Sequence, residues 1–325
     1  MSLIHSDTLE AGAAQDVDPD IRRFHEIVSA AYASFGDFDS LTLAEAREAA
    51  ERVRAPWVEG GPQMARTLDL MVPATGTPIR VHVPVEGSAA APTLIYVHGG
   101  GWVLFSINTH DRLMREYAGR SGLTVVGIDY SLAPEAKFPR QIDEIVALVD
   151  WLRQPGTGLP IDPERIAIGG DSVGANLSVA TNLALRDRRQ APLSAMLLNY
   201  GAFGPAHTPS YERYNGPEYM LNAEEMDRFW RSYVRDERDL SNPLAAPLLA
   251  ELHDMPPSFF TIAERDILAD GNRRMAERLR DAGRDVTVHS CAGATHSFLE
   301  AVSIADISAD ALEAGARWLR ERVAA

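Results

Sequence analysis

Along this chain the spacing of apolar residues switches between helical and strand-like periods, and the switches mark out its elements. Residues 1 to about 17 carry no sustained pattern and read as loosely ordered. Two helical stretches follow. Asp18 followed by Pro19 is a helix start, because a proline at the first position gives up an N–H that would have no partner there. Ile21, Phe24, Ile27 and Val28 then fall on one face. Leu43–Ala50 predicts a second helix, with Thr42 as its cap. After Pro56 the period shortens to two: Leu68–Val72 and Ile79–Val83 alternate like paired edge strands around Gly76.

From residue 93 onward short apolar runs take turns with helical stripes. The runs are Thr93–Val97, Thr124–Ile128, Arg165–Ile168, Ala195–Leu198, Ser258–Ile262 and Val286–His289. Between them lie helices over His110–Ser121, after Pro139 (Ile142, Ile145, Val146, Val149 and Leu152 on one stripe), over Gly174–Asp187, and around Met275, Leu279 and Arg280; a last one starts near Ala309. This order predicts the α/β class, a mostly parallel central sheet flanked by helices. The rhythm breaks between about residues 203 and 247, where Pro, Tyr, Asn and charge dominate around one helical pattern, Glu224–Val234. An insertion after a strand of such a sheet sits over the strands' carboxyl ends, where these proteins bind ligands.

Composition narrows the function. With 325 residues, 46% of them apolar, the chain can bury a sizeable core in one large domain plus an appendage. A formal charge of -15 argues against nucleic acid or an anionic membrane surface as partner. No stretch approaches the length of a membrane span, and the first residues lack the basic and apolar parts of a signal peptide. The single cysteine, Cys291, permits no intrachain disulfide, so the expected setting is the cytoplasm.

Two segments carry the chemistry. His98-Gly99-Gly100-Gly101-Trp102 is a glycine-rich turn at the end of a strand, and Gly170-Asp171-Ser172-Val173-Gly174 places a serine on a strand-to-helix corner. Acyl transfer needs both parts: an exposed nucleophile, and backbone N–H groups aimed at the negative oxygen of a tetrahedral intermediate. A serine hydroxyl also needs a base, and the base needs an orienting acid. In α/β-hydrolases the acid and then the histidine follow the serine along the chain. His289 lies inside a strand pattern and reads as structural; His296 lies in a loop after the last strand and reads as the base. Asp266 is the favoured acid, with Glu264 and Asp270 competing and Asp270 reading better as a helix cap. No metal-ligand spacing and no nucleotide motif is present, so neither metal nor cofactor is expected.

These segments resemble the bacterial hormone-sensitive-lipase-like family of α/β-hydrolases over about residues 60–325. His98–Trp102 is similar to the family's HGGG segment, and Asp129–Glu135 to its D-Y-R-L-A-P-E segment with Ser131 in place of arginine. Gly170–Gly174 is similar to its G-D-S-A-G elbow, and Asp266–Asp270 to its D-P-L-x-D segment; His296 matches its late histidine. The resemblance implies an α/β-hydrolase catalytic domain over 56–325, an N-terminal helical cap segment over 1–55 and a second cap insertion at about 203–247. It implies Ser172 as nucleophile, His296 as general base and acid, and Asp266 as orienter, with the N–H groups of Gly100, Gly101 and Val173 as oxyanion donors. Asp129 reads as support for the glycine loop, acting through His98 beside Gly99.

The implied activity is hydrolysis of small carboxylic esters. Val173 stands where alanine is common, and its branched side chain beside the serine hints at short acyl groups. Trp102, Phe105, Tyr200, Phe203, Tyr219, Phe229, Trp230 and Phe298 are candidate pocket walls. A dedicated deacetylase, amide or lactone hydrolase would use the same residues. A non-catalytic small-molecule receptor on this fold would be expected to lack the late histidine. A homodimer through a sheet edge stays open.

Overall fold

The computed structural model describes residues 16–36, 40–85 and 90–323. All but the end of the loosely ordered start therefore lies outside the described residues. Asp18 accepts hydrogen bonds from the N–H groups of Asp20 and Ile21 and so begins α1 (Pro19–Ala33). Thr42 and Glu45 cap one another at the start of α2 (Leu43–Val58). Ile21, Phe24 and Val28 are buried on α1, whereas Ile27 falls outside that stripe and is 45% exposed.

The chain continues through β1 (Arg66–Met71), β2 (Pro78–Val83), β3 (Ala91–Val97), α3 (Asp111–Ser121), β4 (Thr124–Ile128), α4 (Arg140–Leu152), β5 (Ile161–Asp171), α5 (Val173–Asp187) and β6 (Met196–Asn199). Then come α6 (Pro209–Arg213) and α7 (Ala223–Tyr233) in the insertion, and β7 (Ser258–Arg265), α8 (Ala269–Asp281), β8 (Val286–Thr295) and α9 (Asp306–Val323). The strands form one eight-stranded sheet in the order β1-β2-β4-β3-β5-β6-β7-β8. β2 runs antiparallel to both neighbours, and every pairing from β4 to β8 is parallel. This is the α/β class expected from the alternation. The inner strands are buried on both faces, which is why they read as unbroken apolar runs. α5 is buried on every side from Val173 to Leu185 and crosses the interior behind the serine.

Strand register sets the functional geometry. Val97 pairs with Gly170, so the glycine turn and the serine corner leave the sheet at the same height. Arg265 pairs with Thr295, so the next residues, Asp266 and His296, emerge side by side. β8 runs to Thr295, well beyond the His289 at which the alternation ends. Its register on β7 shifts between Ala263 and Arg265, and Gly293 in the irregular stretch takes φ 83°. A bulge breaks the two-residue period that marks a strand in sequence.

Candidate active site

Ser172 sits between the last residue of β5 and the first of α5 with φ 53° and ψ -119°, a sparsely populated conformation for a side-chain-bearing residue. Its N–H donates to the Asn199 carbonyl, 2.9 Å away. Gly170 and Gly174 are needed for a reason the sequence does not display. A Cβ on either would strike the Val97 carbonyl oxygen, so both let β3 pass close behind the serine. Neither adopts a positive φ; the bend itself is taken by Ser172.

His296 reaches both of its expected partners. Its Nε2 lies 2.9 Å from Ser172 Oγ, and its Nδ1 lies 2.7 Å from Asp266 Oδ2. All three residues are buried, with Ser172 and His296 each 6% exposed where they reach the cavity. Burial opposes a charge on His296, but the carboxylate of Asp266, with Asp171 and Glu300 beyond it, outweighs burial and lifts the ring above the ordinary histidine value. The other oxygen of Asp266 accepts from the Leu268 N–H, which fixes the carboxylate. Of the competing acids, Glu264 and Asp270 both pair with Arg273. Asp270 does not cap α8; it lies in the first turn and accepts from the Ser210 N–H. His289 is stacked on Phe259 within β8.

The glycine turn lies across from the serine. Gly100 and Gly101 have φ 106° and 63°, and both border the same cavity as Ser172. Among the described residues neither N–H donates to a protein acceptor. The Gly100 carbonyl accepts from Val103 and Leu104, closing the turn. Val173 is the first residue of α5, one position after the serine. Asp171 packs directly against Gly99, where no Cβ would fit, and accepts from the Tyr96 hydroxyl at 2.8 Å. Its other oxygen lies 3.3 Å from His110 Nε2. His98 bonds through Nδ1 to the Gly99 carbonyl and stacks on Tyr130. Burial, helped by nearby His110, pushes His98 down to about 3, so it is neutral. Asp129 stands 3.9 Å from His98 Nε2, beyond hydrogen-bond reach; it accepts instead from the Ile107 N–H at 3.2 Å. Its grip is on the segment after the glycine turn and does not run through the histidine.

Comparisons with known proteins identify the family. The alpha/beta hydrolase fold family matches residues 94–300. An acetyl esterase of Salmonella choleraesuis (strain SC-B67) is 35% identical over 271 residues, covering 82% of this chain and 83% of that protein. The chain belongs to the α/β-hydrolase family. A hyperthermophilic esterase from the archaeon Pyrobaculum calidifontis superposes with a TM-score of 0.87 at 30% identity, over 96% of this chain and 100% of that one. A thermostable esterase from Pseudomonas putida ECU1011 does so with a TM-score of 0.88 at 26% identity, over 95% and 98%. The hydrolase falls in the hormone-sensitive-lipase-like branch, and it is a serine carboxylic-ester hydrolase.

The cavity of this hydrolase measures about 280 Å³. Its walls come from three places: α1 and α2 (His25, Val28, Tyr32, Arg54), the glycine turn and the segment behind it (Leu104, Phe105), and the insertion (Met220, Leu221, Met226, Phe229). Of the eight aromatic candidates, Phe105 and Phe229 border it. Trp102 is instead stacked on Tyr233, and Tyr200 stands edge-on to His296. Val173 is fully buried and is not among the lining residues, so crowding of the acyl group by its side chain is not seen. Among the described residues, no group of three or more His, Cys, Asp or Glu could hold a metal ion, and no helix is long and apolar enough to cross a membrane.

Several residues of this site escape a reading of the sequence. Asn272 donates to the Gly201 carbonyl and accepts from the Gly201 N–H, and Asn176 donates to the carbonyls of Ala202 and Ala245. Arg47 on α2 donates to the carbonyls of Val103 and Ala133 and pairs with Glu135, tying the N-terminal helices to the loops around the glycine turn. His110 and Tyr96 are set by contacts across the sheet. Only Asp171 carried a signal, its place in the serine motif.

Proposed function

We propose that Ser172, His296 and Asp266 are the catalytic triad of this esterase and that its substrates are short-acyl esters, acetyl to butyryl. His296 Nε2 takes the Ser172 proton as Oγ attacks the ester carbonyl carbon. The carbonyl oxygen becomes an oxyanion and receives hydrogen bonds from Gly100, Gly101 and Val173. The tetrahedral intermediate collapses, the C–O bond to the alcohol breaks, and His296 gives its proton to the leaving oxygen. Water repeats the sequence on the acyl-serine and releases the acid. Asp266 holds the imidazole in the required tautomer throughout.

The observation that carries this reading is the unbroken chain of short contacts from Asp266 through His296 to Ser172 beside the glycine turn. A receptor reading finds no support in it. The name of the acetyl esterase to which the chain is similar supports short acyl groups. α1, α2 and the insertion, which supply most of the apolar wall, act as the two parts of a cap. His98 supports the glycine turn at Gly99, and Asp129 holds the segment that follows it at Ile107. The lone buried Cys291 suits a reducing cytoplasm. The outer edge of β8, at the end of the sheet order, suits a homodimer that light scattering would reveal.

The deciding experiment is an acyl-length series of p-nitrophenyl esters from two to twelve carbons. Turnover should peak at two to four carbons, and Ser172→Ala should lower it by roughly 10⁴–10⁶-fold. A rate that climbs toward twelve carbons overturns the short-acyl reading, and a fully active Ser172→Ala overturns the triad.

A further inference from the structure

His110, the residue before α3, is buried beside Asp171 and takes no part in the proton transfers of the triad. Its Nε2 lies 3.3 Å from Asp171 Oδ2, and a carboxylate anion only accepts, so Nε2 carries a proton. Its Nδ1 lies 2.9 Å from Thr109 Oγ1. The Thr109 hydroxyl gives its one proton to the Ser106 carbonyl, also 2.9 Å away, so Nδ1 is the donor toward Thr109. Two donating ring nitrogens make a cation. Burial works against that charge, but the charge and the hydrogen bond of Asp171 outweigh it and lift His110 above the ordinary histidine value. Asp171 moves the other way: burial opposes its charge, while His110 and the Tyr96 hydroxyl hold it below the usual carboxylate range.

The pair stands where the two sequence motifs meet. Oδ2 of Asp171, the oxygen facing His110, is also the atom that leaves no room for a Cβ on Gly99. Asp171 precedes Ser172 and shares the cavity wall with Ser172 and His296, and its charge favours a proton on His296. No other neighbour supplies a positive charge to balance it. His98, with its ring centre 5.5 Å from that of His110, is neutral. Burial holds Tyr96 far above an ordinary phenol, so it is neutral as well. Glu300, which also favours the charge on His110, is paired with Arg54 at 2.6 Å. We propose that His110 is an imidazolium in the working enzyme, a positioning residue that fixes Asp171 against Gly99 and cancels its charge behind Ser172 and His296. The proposal rests on the triad reading and adds a residue that acts through Asp171.

The consequence is a pH effect opposite in sign to that of losing Asp266. Without the His110 charge, Asp171 stands unbalanced, and His296 keeps its proton to higher pH.

The test follows kcat/KM for p-nitrophenyl acetate against pH, with Asp266→Asn as control. His110→Gln keeps a donor and removes the charge, so its acid limb should move to higher pH. His110→Gln/Asp171→Asn removes both charges, and its limb should return to the wild-type position. His110→Ala also frees Asp171 and should lower kcat by roughly ten- to a hundredfold. Nitrogen NMR of histidine-labelled wild type needs no stable single variant. At about pH 7.5, where an ordinary histidine is mostly neutral, one ring with both nitrogens protonated should be present and should vanish in the double variant. A neutral His110 at that pH overturns the proposal. So does a limb that stays or moves down in folded His110→Gln, or an unchanged kcat in His110→Ala. If Asp266→Asn leaves the limb in place, the triad reading falls first, and this one with it.

Discussion

Phe229 lies against Gly101 with no space for a methyl group between them; a Cβ on the glycine would overlap the ring. The contact joins the insertion to the turn that faces Ser172. It explains why this position must be glycine twice over, since Gly101 also has φ 63°.

Gly101→Ala should therefore lower kcat/KM by about 10²-fold or more, the scale of one lost oxyanion donor. Adding Phe229→Ala removes the overlap while leaving the unfavourable φ, so the double variant should recover part of the loss. Steady-state kinetics on p-nitrophenyl acetate decide it. No recovery would mean that the backbone conformation alone demands glycine.

The pH profile follows from His296. The imidazole must be neutral to accept the Ser172 proton, and its pKa is raised, by Asp266 above all, against the pull of burial. Activity should then fall as pH drops through a value above that of an ordinary histidine. Asp266→Asn takes away the main raising charge and leaves the burial, so the acid limb of kcat/KM should move to lower pH. Turnover should fall with it, by roughly 10³–10⁴-fold. An acid limb that stays in place in Asp266→Asn would show that another group governs the titration.

Acyl-chain selection should trace to the cavity wall. Leu104→Ala or Phe229→Ala should move the optimum toward longer acyl chains, because both side chains border the cavity. Val173→Ala should leave the optimum where it was, because the Val173 side chain is packed in the interior. The same ester series reads all three variants; a shift in Val173→Ala alone would reverse the assignment.

Asn272 should matter for stability. It satisfies both the N–H and the carbonyl of Gly201, in a buried turn next to Tyr200 and His296. Asn272→Ala leaves two buried polar groups without partners, at a cost of about 2–3 kcal/mol. Urea denaturation measures it; a change below half that size would mean that water replaces the amide.

Much of this protein is legible in its sequence because the signals are local. The strands of the parallel sheet show as apolar runs, since burial on both faces admits nothing else. The caps at Asp18 and Thr42 show because a helix start needs side-chain oxygens within three residues. Ser172 and His296 sit in short segments with a local signal, whereas Asp266 competes in sequence with Glu264 and Asp270 and is singled out only by its contact with His296. What the sequence could not supply was distance. His296 meets Asp266 because Arg265 and Thr295 are paired across two strands, and Ser172 faces the glycine turn because Val97 and Gly170 are paired. The fully packed Val173, the detached Asp129 and the buried Arg54 owe their surroundings to chain segments far away in sequence. Helical and strand periods arise from neighbours along the backbone, whereas a cavity wall is made where distant segments happen to meet, and only the folded chain brings those together.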